Sequence, residues 1–223
     1  MKLYALAYAC HLYGQDDPVY RKMRETFGQK PDLASPAQLE GLLQFLNEWR
    51  CRIAKKGFPE LKEQLRQWWA ENQCKLPDVG KNISDLDDND REQVGRAYEG
   101  LLKLGAGLRF QDTAAAKTLH ALRPYTLPLW DAKIKERFRE RGAGATYSDF
   151  VGYVAQEVAE LEADVKRLGL SLGDVPQLVH PGFDVSLVKL VDEYYWTTMT
   201  REDTVPTRGD LAKWLGWMPD NRS

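Results

Sequence analysis

The chain lacks most of the features that announce a chemistry. Its three cysteines, Cys10, Cys51 and Cys74, are odd in number and have no C-x-x-C spacing. This excludes a disulfide framework and points to a reducing compartment. His11, His120 and His180 stand far apart with no H-E-x-x-H, so a structural zinc site is not expected and the site is expected to need no cofactor. No apolar run approaches the roughly 18 residues of a membrane span. The apolar start, Met1 to Tyr8, soon meets His11 and Asp17 without a small-residue cleavage site, so no signal peptide is expected. A soluble, cytoplasmic protein with no membrane partner is the expectation. The net charge of -2 gives no global attraction to nucleic acid, so a DNA-binding surface would need local basic patches.

Several motifs begin and then fail. Asp85-x-Asp87-x-Asn89 opens like a calcium loop, but Asp90 stands where the turn needs glycine and Arg96 where a bidentate glutamate belongs. It is read as a solvated acidic loop. Gly105-Ala-Gly107 and Gly142-Ala-Gly144 each lack the third glycine and preceding strand of a dinucleotide fingerprint. There is no G-x-S-x-G nucleophile elbow.

What is present is helical periodicity. Asp17-Pro18 and Ser35-Pro36 have the form of an N-cap followed by proline, opening helices that run to about Phe27 and through a stripe of Leu39, Leu42, Leu43, Leu46, Trp49 and Ile53. Trp49, Trp68 and Trp69 are read as core. A helix with Val94, Ala97, Tyr98, Leu101 and Leu102 follows the polar 77–90 loop, and shorter helices cover about Thr113–Leu122 and Asp131–Arg141. Ser148 is taken to cap a long helix carrying Val151 to Leu168. The last two helices are placed at about Asp184–Thr197 and Thr207–Leu215. No alternating strand and no repeat is found. The fold class is all-α, a single helical unit with possible lobes at about 1–80 and 90–223; the Gly169–Gly182 segment is another possible boundary.

The most informative stretch is Lys117-Thr-Leu-His120-Ala-Leu122-Arg123-Pro-Tyr-Thr-Leu127-Pro-Leu-Trp130-Asp131-Ala-Lys133-Ile134. A helix with Ala115, Leu119 and Leu122 on its buried face carries Lys117 on another side, among Ala114, His120 and Ala121, small neighbours that would let a ligand backbone come close. A proline-containing link then delivers Asp131 as an N-cap.

These residues resemble the helix-hairpin-helix DNA glycosylase superfamily, especially its 8-oxoguanine branch and related uncharacterised bacterial proteins. There a K-T-A-x-x-L helix carries a catalytic lysine, and a P-x-x-D-x-H-V segment opens the next helix with a catalytic aspartate. Lys117-Thr-Leu-His-Ala-Leu122 and Pro128-Leu-Trp-Asp131-Ala-Lys133-Ile134 correspond to the two elements. The departures are definite: the G-x-G lies ten residues before Lys117 rather than beside it, only fourteen residues lead from Lys117 to Asp131, and Lys133 replaces the usual histidine.

The resemblance implies a two-lobed fold and a glycosylase and abasic-site lyase acting on oxidised purine in duplex DNA. Lys117 would be the Schiff-base nucleophile and Asp131 would activate it or stabilise the cationic sugar. His120, Arg123, Trp130 and Trp196 are the expected substrate contacts. Lys133, Lys135 and Arg137, with Arg139 and Arg141, are the expected backbone contacts, and Arg50, Arg52, Lys55 and Lys56 form another basic run. The alternative is an inactive member of the fold that binds nucleic acid or protein in bacterial stress or defence.

Overall fold

The computed structural model describes residues 1–14, 17–105, 110–140, 142, 144–207 and 209–210. Among these residues every regular element is helical. None of the helices is long and apolar enough to cross a membrane.

Helix α1 (Leu3–Tyr13) has no counterpart in the sequence expectation, because its apolar residues do not gather on one stripe. It is held instead by partners distant in the chain: the Met1 ammonium sits 2.9 Å and 2.8 Å from Glu157 and Glu160. Helix α2 (Pro18–Phe27) starts as its sequence dictates, with Asp17 accepting from the Tyr20 amide at 2.9 Å and proline in the first turn. Helix α3 (Pro36–Glu48) begins likewise at Ser35, and its buried face is Leu39, Leu42, Leu43, Phe45 and Leu46. Burying each such side chain contributes about 1.5–3 kcal/mol.

Helix α4 (Phe58–Asn72) buries Trp68 and Trp69, and α5 (Asp88–Leu102) buries Val94, Ala97, Tyr98 and Leu101 while leaving Leu102 exposed. The acidic run before α5 is more than a solvated loop. Asp87 and Asp90 form a reciprocal capping box, and Asp90, also 2.6 Å from Lys81, is held below the usual carboxylate range by that lysine.

Helices α6 (Asp112–Leu122) and α7 (Ala132–Glu140) follow, joined by the proline link. Helix α8 (Tyr147–Arg167) is capped by Thr146 with Asp149, two residues before the Ser148 expected; Ser148 instead donates to the Arg91 carbonyl at 3.0 Å. Short α9 (Val175–Val179) lies within the 169–182 segment, and α10 (Leu187–Tyr195) runs into a π-helical turn, Trp196–Thr200. The helix expected at Thr207–Leu215 shows its Thr207–Asp210 box, and the rest of it lies outside the described residues, as do Ala106, Gly107, Arg141 and Ala143.

One apolar cluster contains residues as distant as Tyr20 and Met199 and includes Ile83 and Leu86 from the 77–90 segment. A second joins Leu6 and Cys10 of α1 to Leu161, Val165, Val175 and Leu190. The segments on either side of residues 77–90 therefore share their packing.

Candidate functional site

Six stretches of chain converge on one cleft of about 690 Å³: the end of α1 (Tyr13), the start of α2 (Asp17, Pro18), the end of α3 (Glu48, Trp49, Arg50), α6 (Thr113, Lys117), the link into α7 (Leu129 to Lys133) and α10 with its π-turn (Asp192, Trp196). That volume falls within the usual range for small-molecule sites. Lys117 and Asp131, on different helices, both line it.

Lys117 is half-buried. Its Nζ donates to the Trp49 carbonyl at 2.6 Å and lies 5.2 Å from the Trp49 ring centroid. Asp131 is a true N-cap: Oδ1 accepts from the Ile134 amide at 2.8 Å, while Oδ2 lies 3.4 Å from the Thr200 hydroxyl on the π-turn. One carboxylate oxygen is therefore oriented by helix backbone and the other by a side-chain hydroxyl.

The other expected residues divide. Trp196 lines the cleft, with an edge contact to Tyr13 at 5.2 Å and Arg201 over its ring at 5.4 Å. Trp130 lines it too, but is 3% exposed and packed against Phe150, Tyr147 and Tyr98; its Nε1 is buried with no hydrogen-bond partner among the described residues.

His120 and Arg123 do not line the cleft. His120 is fully buried, its Nδ1 is 2.8 Å from the Leu127 carbonyl, and burial pushes its pKa down to about 3, which makes it a neutral strut of the proline link. Arg123 bonds the Pro77 and Leu122 carbonyls and lies over Trp69. A helix buried on nearly every side brings both into the core. The same cause corrects the reading of Ala114 and Ala121, which are small because other helices press on them. Trp49, assigned to the core from its stripe, is a half-buried wall of the cleft.

Two cations of α7 are ion-paired, while Arg139 is exposed. Lys135 pairs with Asp112, Arg137 with Glu140 at 3.1 Å and Glu202 at 2.6 Å, and Lys133, on the cleft wall, donates to the Thr200 carbonyl at 3.1 Å.

The sequence reading missed a buried ionic group behind the cleft. Lys189, with no exposed side-chain area, lies 3.2 Å from Glu193 and 3.4 Å from Asp192, under the rings of Tyr13, Trp49 and Tyr20 at 4.3, 5.5 and 5.6 Å. Burial opposes its charge, but Glu193 and Asp192 outweigh burial and hold the ammonium protonated. Asp192, which reaches the cleft, has its pKa raised to about 6 by burial and by the Asp131 and Glu193 charges, against the pull of Lys189.

Glu193 continues to His180 at 2.7 Å, and Cys10 stands close enough that the three could share a metal ion, their ligand atoms lying within 4.8 Å of one another. Glu193 already spends one oxygen on Lys189 and the other on His180, and a fixed ammonium beside it opposes a divalent cation. Glu193 thus belongs to an ionic group with Lys189 and Asp192, which His180 reaches by a hydrogen bond. Its only sequence signal was the i, i+3 and i, i+4 spacing of Lys189, Asp192 and Glu193.

No protein-family model, no curated protein and no solved structure matches this chain.

Proposed function

We propose that the chain is a DNA repair glycosylase with lyase activity, acting on an oxidised purine of the 8-oxoguanine kind through a Schiff base on Lys117. The observation that carries this reading is the placement of Lys117 and Asp131 on one cleft from two different helices. The supporting features are the aromatic walls, Trp49 and Trp196, against which an extruded base could lie.

In this mechanism the neutral Lys117 amine bonds to the sugar C1′ as the C1′–base bond breaks, and the proton lost from nitrogen balances the departing base. Ring opening then gives the imine. Asp131, fixed by its cap on the same cleft, would stabilise positive charge growing on the sugar. The Trp49 carbonyl accepts one N–H of Lys117 and so orients the amine in the cleft.

A second reading, an inactive member of that fold serving as a binding module, is favoured by one observation: Asp17, Glu48, Asp131 and Asp192 line the cleft against Arg50, Lys117 and Lys133, which offsets the pull on a phosphate near the reacting lysine.

Borohydride trapping on duplex DNA carrying an abasic site or 8-oxoguanine separates the two. The expected result is a covalent adduct with the wild type and none with Lys117→Ala. Absence of both an adduct and base release with the wild type would leave the binding module standing.

A further inference from the structure

We infer that the turn after α3, residues 50–56, is the surface that grips the phosphodiester backbone of duplex DNA, in place of the basic face of α7. The inference rests on the glycosylase reading for the identity of the polyanion, and on the turn's own geometry for its location.

Helix α3 ends in a Schellman arrangement: the Arg50 amide bonds the Asn47 carbonyl at 3.0 Å and the Cys51 amide bonds the Leu46 carbonyl at 2.9 Å. The residue after the C-cap is left-handed in such a motif and is usually glycine, because a Cβ there crowds the backbone. Here it is Arg50, with φ 63°, and Arg52 repeats the conformation with φ 55°. Arginine has no local advantage at either position.

The turn is nonetheless rigid. Asn47 clasps Ile53 through two hydrogen bonds, of 2.7 and 3.0 Å, and the Ile53 side chain is buried. The Trp49 carbonyl beside it holds Lys117. Arg50 also lines the cleft, so the turn brings one of its charges to the rim of the site.

The electrostatics select this turn over α7. Arg50, Arg52, Lys55 and Lys56 are all exposed, and among the described residues none is within ion-pair distance of a carboxylate. The neighbouring acids are engaged elsewhere: Glu48 pairs with Lys22 at 3.3 Å and Glu40 with Lys62. Lys135 and Arg137 on α7 would have to leave Asp112, Glu140 and Glu202 before meeting a phosphate. The four cations of this fixed turn, of which Lys55 feels the Glu40 charge at longer range, make no ion pair that must be exchanged, and two of them are guanidiniums suited to bidentate phosphate contact.

The test is fluorescence anisotropy with an unmodified, labelled DNA duplex across a salt series. The proteins are the wild type, Arg50→Asn/Arg52→Asn/Lys56→Gln, and Lys133→Gln/Lys135→Gln/Arg137→Gln. Asparagine removes the charge while accepting the left-handed backbone, and a circular dichroism melt checks that each variant folds. The turn variant is expected to bind roughly tenfold or more weakly at low salt, with the slope of log K against log salt reduced by about 2–3. The α7 variant is expected to change less.

Wild-type and turn variants with equal affinity and slope, or a larger loss from α7, would overturn the inference, as would a wild type that binds no duplex. Lys117-dependent trapping judges the glycosylase reading separately: an adduct with an unaffected turn variant sinks this surface alone, and turn-dependent binding without an adduct sinks the chemistry alone.

Discussion

At the scale of single residues, Asp131 serves both the helix and the cleft, and the two can be separated. Its Oδ1 caps α7 through the Ile134 amide. Asp131→Asn keeps an acceptor there, so its stability should stay within about 0.5 kcal/mol of wild type, whereas Asp131→Ala should cost about 1 kcal/mol. Both remove the charge, and on the glycosylase reading both should slow adduct formation roughly 100-fold or more. Urea melts beside trapping rates check this; an asparagine variant that traps at the wild-type rate would reduce Asp131 to a cap. That Lys117 and Asp131 share one cleft was legible because their spacing and the proline link are local features. His120 and Arg123 were misplaced for a reason outside that segment: a helix periodicity gives a direction around the axis but does not say how many neighbours surround it.

Among the elements, α6 shows this most clearly. Ala114, Ala115, Ala116 and Ala121 are buried together with Thr118, Leu119 and Leu122, so the helix threads between others with only Asp112, Thr113 and Lys117 partly open. If the alanines are small because of packing, a larger residue should act on stability before anything else. Ala121→Leu costs little helix propensity, yet it should destabilise the protein by about 1–3 kcal/mol through overpacking. A denaturant titration decides it, since an alanine facing an open cleft would take leucine with little change. Elements whose starts are written in caps, α2 and α3, could be read directly, and the proline at each first turn helped. Helix α1 could not, because its stability comes from α10, α8 and two glutamates about 160 residues away rather than from its own pattern.

For the whole molecule, the buried ionic group shows in the sequence only as the helical spacing of Lys189, Asp192 and Glu193, since Cys10, His180 and Lys189 meet only once α1 lies on α10. It supplies one of two opposed parts of a pH dependence, and buried His120 supplies the other. Burial lowers the His120 pKa from 6.5 to about 3, so the unfolded chain binds the extra proton between those values and stability rises with pH there. Burial and the Asp131 and Glu193 charges raise that of Asp192 from 3.8 to about 6, so in that window the folded protein holds the extra proton and stability falls as pH rises. The two slopes work against each other between about pH 4 and 6, each near 1.4 kcal/mol per pH unit at most. Asp192→Asn keeps an acceptor for Lys189 and removes only the second. Relative to wild type, the variant should therefore gain stability steadily from about pH 4 to 6 and hold a constant advantage above that. Urea melts of the two proteins across the range measure the difference directly. A difference that stays flat with pH would mean that Asp192 titrates as an ordinary surface carboxylate.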